Sequence, residues 1–506
     1  MASLASLLDR LEAAKRQFGM PDHARNLETL LGELGTRRFP DAASLIRFHE
    51  ALLFFRAYPL NAGVASLCDE LLGSMAASVE GVGDSEPFEE PDVSGISGTA
   101  FSAIFSYDIT RWLSEKHPAE VEIDWEATDA PLLGPLLRMV HPYYAEDALV
   151  EANIPYMEWF RAGRKLAGRG PAPRVPSDLV WLMSRLDQMS IDRRILSDLF
   201  AAAKIAVRWS LGRGPTTRSN LRLAGRRKLF FHDSALLRRS DVSLDTELSA
   251  GPLPVKKLSL RDGVRFLDLA RETSAMRYRE LHGFTYGDPE RVIHAQVGRG
   301  VEVFVCGVPR EHRLPLRAYH AGMFFKNAVP IGYIECLTLF DRMEVGFNLY
   351  YTFREGETAW LYAKLLRLFR QLLGVDYFSV DPYQIGLHND EAIESGAFWF
   401  YRKLGFRPVG ADVARLLAGE EKKIKVNAQY RTSANVLKRL SASGMIYEAP
   451  GAQHGAYDRF DVHRLAMSLD CSPFPPAVQR AKKAPNESEY VRLLRGMRQT
   501  PLRPRT

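Results

Sequence analysis

The stretch at residues 389–408, N-D-E-A-I-E-S-G-A-F-W-F-Y-R-K-L-G-F-R-P, constrains this chain more than any other. Ala392, Phe398, Tyr401 and Leu404 recur at helical spacing, and Phe400 widens the apolar face. Asp390, Glu391 and Glu394 stand at the start, Arg402 and Lys403 at the end, the order a helix dipole favours. Gly405 supplies a left-handed stop, Phe406 can fold back over the last turn, and Pro408 bars re-entry into a helix. An apolar strand at 376–380 comes just before. The pattern predicts strand, short loop, one aromatic helix and a Gly-Phe stop as a single unit.

The segments upstream extend this unit. Strands are predicted at 301–306, 317–325, 330–339 and 344–353, with Lys326-Asn327 as a turn between two of them. A helix follows to Leu373, with Leu361, Leu365, Leu368 and Leu372 on one face and Gly374 as its stop. Residues 262–282 read as a long helix or a helix pair. Strands followed by strand-helix-strand-helix fit a mixed α+β or α/β domain, a central sheet flanked by helices, over 256–410. Residues 411–506 read as a C-terminal extension. It has short helices at 413–417 and 430–440 and a fraying basic tail that carries Arg492, Arg495, Arg498, Arg503 and Arg505.

Residues 1–160 form a mostly helical N-terminal region. Leu4, Leu7, Leu8 and Leu11 set a helical period that continues through Leu45-Ile46 and Leu52–Phe55 to Pro59. His49 and Glu50 are neighbours that face different directions, so helix packing is expected there. Residues 79–97 are acidic and rich in Gly and Pro, a loop. The cluster His141-Pro142-Tyr143-Tyr144 reads as a buried turn. Residues 161–255 begin with a basic Gly/Pro linker (161–176), continue with a helical block, and then become strongly basic. Arg213, Arg218, Arg222, Arg226, Arg227, Lys228, Arg238 and Arg239 face Asp233 alone. Nucleic acid is one partner for such a stretch, but only Phe230 and Phe231 interleave it, which favours an arm wrapped over another domain.

Composition narrows the function classes. The chain is 46% hydrophobic and 25% charged, an ordinary globular balance. No apolar run is long enough to cross a bilayer, and Asp9, Arg10 and Glu12 come too early for a signal peptide. Cys68, Cys306, Cys336 and Cys471 are scattered, with neither zinc spacing nor a disulfide framework. A cytoplasmic protein without a bound metal is expected. The net charge of +6 permits anionic partners without demanding them.

The strand-to-helix turn that carries Arg354, Gly356, Thr358 and Ala359 offers free backbone N–H groups and a positive dipole end to an anion. Together with the opening stretch it resembles the GNAT superfamily of acyl-CoA-dependent N-acyltransferases, over residues 260–410. Val329-Pro330-Ile331-Gly332-Tyr333-Ile334 resembles the family's central strand, and Phe353–Ala359 its pyrophosphate loop. The strand at 376–381 sits where the family splays two strands for the pantetheine arm. Ala397, Phe400, Tyr401, Lys403, Gly405 and Phe406 match its final helix. Two positions depart: Glu357 takes the place of a loop glycine, and Glu394 that of the family's Asn, for which Asn389 can substitute.

The resemblance implies attack of an amine on an acyl thioester. A base removes the amine proton and a tyrosine protonates the departing thiolate. Tyr401 matches the position of that acid. Glu335 and Glu344, on strands lining the acceptor cleft, are the candidate bases, with Asp381 and His388 behind them. Arg354, Gly356, Thr358, Ala359 and Asn389 would hold the donor, acetyl-CoA or another acyl-CoA. The acceptor would be a small-molecule or peptide amine. Cys336 points away from the face of Glu335 and is not expected to be a nucleophile. Glu355 and Glu357 also suit a GNAT-like module that binds or regulates without turnover. The basic stretch 213–239 suits acyl transfer from aminoacyl-tRNA.

Overall fold

The computed structural model describes residues 2–141, 143, 144, 146, 150, 156–167, 175–225 and 227–470. The chain divides into two compact units. The first takes in the chain up to Arg16, Asp22–Leu223 and Leu267–Thr285. The second takes in Gln17–Pro21, Ala224–Phe266 and the described residues from Tyr286 onward. Pro142, Arg226, Cys471 and the arginines expected in the basic tail lie outside the described residues.

In the first unit, helices Leu4–Ala14, His23–Gly35, Ala42–Ala57, Ala62–Gly73 and Met75–Val79 follow the leucine spacing. Ser3, Asp41 and Asn61 cap three of them through side-chain oxygens. From Phe48 to Ala57 every residue of the third helix is buried, so that part of it has no solvent face. The rest of the unit departs from the helical expectation. Short strands β1 (Ala100–Ile104), β2 (Val121–Ile123) and β3 (Ala206–Ser210) form an antiparallel sheet in the order β1-β3-β2. Their apolar faces, with Phe101, Val121, Val207 and Trp209, join one core with Leu113, Leu179 and Leu182. Because β3 pairs with both partners, residues 206–210 belong with the N-terminal region and not with a linker. The expected linker is also partly helical, since Tyr156–Ala167 is one helix; residues 168–174 lie outside the described residues.

The second unit is built on a nine-stranded, mostly antiparallel sheet. Its strands are β4 (Val255–Lys257), β5 (Val292–Gly298), β6 (Val301–Cys306), β7 (Ala318–Lys326), β8 (Val329–Leu339), β9 (Arg342–Leu349), β10 (Tyr377–Val380), β11 (Arg407–Pro408) and β12 (Met445–Glu448). The order is β11-β12-β10-β9-β8-β7-β6-β5-β4, and only β9 and β10 run parallel. The hairpin from β7 to β8 turns through Asn327 and Ala328, both left-handed, at the expected turn. Helix Thr358–Leu373 buries Leu361, Leu365 and Leu368 and ends at left-handed Gly374. At the coarse level the sequence expectation of a mixed α and β architecture holds.

Two expectations are corrected. The opening stretch is not one helix but two, Asp390–Glu394 and Ala397–Lys403. Gly396 lies between them at φ +71°, a left-handed residue that ends the first and starts the second. The sheet also does not finish before residue 411. β12 inserts between β10 and β11, so residues 445–448 are part of the domain and not of an appendage. The Gly-Phe stop is as expected. Gly405 has φ +105°, Phe406 donates its backbone N–H to the Tyr401 carbonyl, and the two rings lie 5.5 Å apart.

Candidate functional site

The geometry of the site begins with a register that runs out. β9 is paired with β8 along its whole length, from Arg342 to Leu349. Against β10 it is paired only at Arg342, Met343 and Glu344. β10 ends at Val380, and Asp381 caps a short turn, Pro382–Ile385, that leads the chain away. Pro382 has no N–H with which to continue the ladder. Past Glu344 the two parallel strands therefore part. A cleft of about 290 Å³ lies here, lined on the β9 side by Phe347, Asn348 and Leu349. Phe347 and Asn348 project to opposite faces of the sheet, so the cleft reaches both.

Helix Thr358–Leu373 points its N-terminus at the cleft, where Thr358 and Arg354 line it. This helix has no side-chain cap, so its first-turn N–H groups keep their capacity for an anion. Arg354 is the cation among the described lining residues, and it is ion-paired to Glu391, which lines the cleft from the Asp390 helix. Glu357, the residue in place of a loop glycine, does not face the cleft. Its side chain is 2% exposed and turned inward, with Arg299 at 2.5 Å, Lys326 at 3.6 Å and the Leu237 N–H at 3.1 Å. The carboxylate that would repel an anion is thus satisfied elsewhere.

The opposite wall is aromatic. Ala397, Phe400 and Tyr401 of the second short helix line the cleft, and Tyr362 packs behind them with its ring 5.6 Å from that of Tyr401. Tyr401 is 4% exposed, and its hydroxyl has no hydrogen-bond partner among the described residues. The Tyr362 hydroxyl is likewise buried without one. Burial pushes both phenols above their ordinary value, so both keep their protons. A protonated hydroxyl without a partner, on a largely buried side chain that lines a cleft, is a donor available to a ligand.

Of the sequence-predicted residues, the structure brings Arg354, Thr358, Asn389 and Tyr401 into one cleft. The Asn389 amide is already engaged there: it caps the Asp390 helix at the Ala392 N–H (3.1 Å) and donates to the Tyr383 carbonyl (3.1 Å). Gly356 and Ala359 belong to the same turn and first helical turn but do not line the cleft. Glu335 and Glu344 are not brought in. Glu335 accepts a hydrogen bond from the Tyr319 hydroxyl, and Glu344 sits between Arg317 (3.3 Å) and Arg342 (3.5 Å). Glu335 is still close: it pairs with Gly346, and a Cβ there would stand 3.7 Å from the Gln384 amide, which lines the cleft. Asp381 serves as a turn cap and His388 is exposed. Sequence reasoning missed Gln384, Glu391 and Ser395 as lining residues. The breaker dipeptide Ser395-Gly396 was the available signal, since a bend there turns the helix start toward the cleft.

Four arginines of the basic stretch 213–239 are ion-paired within the chain. In the first unit Arg213 pairs with Glu80, Arg218 with Glu50 and Arg222 with Asp69; in the second Arg227 pairs with Glu302. Arg218 belongs to a buried network that corrects the expectation for His49 and Glu50. The imidazole bridges Glu50 and the Ser219 hydroxyl, each at 3.0 Å. Glu50 is also held by both oxygens on Arg218. Every member is buried, so the network ties Ser219 to the Ala42 helix. Among the described residues no group of His, Cys, Asp and Glu could hold a metal ion, and no helix is long and apolar enough to cross a membrane.

Comparison of the chain with protein-family models, with curated proteins and with solved structures finds no match.

Proposed function

We propose that the second unit is an acyl-CoA-dependent N-acyltransferase, moving an acetyl or other acyl group to the amine of a small molecule or peptide. The observation that carries this reading is the cleft between the parted strands β9 and β10. An uncapped helix N-terminus with Arg354 stands at one wall and the unpartnered hydroxyl of Tyr401 at another. The first suits the pyrophosphate of the donor, the second its sulfur. In the transfer the amine nitrogen bonds to the thioester carbonyl carbon and the carbon–sulfur bond breaks. Tyr401 gives its proton to the departing thiolate. Glu335, which stands outside the cleft on β8 opposite Gly346, takes the proton the amine loses by way of water.

A binding module without turnover is the second reading. It is favoured by the ion pair that already occupies Arg354 and by the placement of Glu335 and Glu344 outside the cleft. Thermal unfolding with CoA and acetyl-CoA, followed by thiol release over a panel of amines, separates the two. Donor at a hundredfold excess over its Kd should stabilise the fold by about 2.7 kcal/mol, a rise of several degrees in Tm. Stabilisation without thiol release from any amine would leave the binding module. No stabilisation at all would sink both readings.

A further inference from the structure

We infer that Glu391 is a countercharge latch, which holds Arg354 while the cleft is empty and releases it to an anionic donor. The inference rests on the acyl-CoA reading of the same cleft and adds a specificity-determining residue to it. Among the described lining residues Arg354 is the one cation and Glu391 the one carboxylate, and they are paired with each other. Neighbouring Asp390 is committed elsewhere, to Lys438 at 2.7 Å. The pair is near solvent, with the Arg354 and Glu391 side chains 44% and 62% exposed. The site behind the pair is built: Tyr401 is 4% exposed at its wall, and its hydroxyl has no hydrogen-bond partner among the described residues.

A guanidinium offers one planar fork, and carboxylate and phosphate compete for the same donors. A pyrophosphate brings more charge than one carboxylate and also meets the N-terminus of the Thr358 helix, which Glu391 does not cap. Glu391, once displaced, returns to water at little cost because it is already exposed. A donor without phosphates has no means of displacing it. The latch therefore weakens binding of every anionic donor slightly and leaves neutral thiols alone.

Calorimetric binding of CoA and of pantetheine, the phosphate-free thiol, to the full chain and to Glu391→Gln tests this. The substitution is nearly isosteric at an exposed position, and unchanged melting confirms its fold. At low ionic strength E391Q should bind CoA about two- to fivefold more tightly than the unaltered chain, the range an exposed ion pair allows. Pantetheine affinity should not change, and the CoA gain should shrink as salt rises. In Arg354→Gln, CoA binding should weaken about tenfold, and adding E391Q should bring no gain. CoA binding by the unaltered chain that E391Q leaves unchanged or weakens would overturn the latch alone. No CoA binding by either protein would overturn the donor reading and the latch with it.

Discussion

Tyr401 is buried and its hydroxyl bonds to nothing among the described residues, so the fold gains little from keeping it. Removing an unpartnered hydroxyl leaves no orphaned group behind. Tyr401→Phe should therefore melt at the same temperature as the unaltered chain or slightly above it. If Tyr401 is the acid that protonates the thiolate, kcat should fall by about a hundredfold or more. Steady-state thiol release beside a melting curve reads both quantities, and an unchanged kcat removes Tyr401 from the chemistry. This residue was legible in the sequence because helical spacing and the Gly-Phe stop bracket it. Glu357 was not. Its sequence position places it at the strand-to-helix turn before Thr358, but its direction is set by Arg299 and Lys326, which approach from the β5–β6 turn and from β7. Local sequence does not encode where a loop side chain finds its partner.

At the scale of elements, two glycines separate space from conformation. Gly332 on β8 lies where a Cβ would stand 2.3 Å from the Asn348 carbonyl and 2.6 Å from the Phe324 ring. Gly396 has nothing within 4 Å, but its φ of +71° is left-handed. Gly396→Ala should cost about 1 kcal/mol, the conformational penalty alone. Gly332→Ala should cost about 1–3 kcal/mol through overpacking. It should also weaken donor binding, because the carbonyl it pushes belongs to a cleft residue. Urea midpoints with calorimetry check the order, and a larger loss from G396A would refute it. The strands of this unit were legible from alternation and turn residues. The break inside the opening stretch was overridden by its strong apolar period. Ile393, Ala397, Phe400 and Leu404 stay in helical phase across Ser395-Gly396, where the backbone does not.

Across the whole molecule, what the sequence hid is what long-range pairing decides. β12 enters the sheet between β10 and β11, and β3 joins β1 and β2 from about a hundred residues away. Neither pairing leaves a local pattern beyond a short apolar run. The same burial sets a collective response to acid. His23, His49 and His141 of the first unit and His232 and His320 of the second are all pushed below the ordinary imidazole value by burial. His320 on β7 is the clearest: it is buried, neither ring nitrogen has a partner among the described residues, and its value falls from 6.5 to about 4. The unfolded chain takes up a proton at this position below pH 6.5, and the folded chain does so only near pH 4. Between those limits the unfolded state holds more protons, so stability falls as pH falls, and no further loss from this group follows below about 4. The full window is worth about 3 kcal/mol. His320→Leu, close in volume and apolar, should flatten the stability-against-pH curve by up to one proton between pH 6.5 and 4. Carboxylates such as Glu302 and Glu448, held below their ordinary values despite burial by hydrogen bonds to His294 and Arg407, contribute their own acid loss to both proteins. The difference between the two curves isolates the histidine. Urea unfolding at a series of pH values measures it, and parallel curves would show that His320 titrates alike in the folded and unfolded chain.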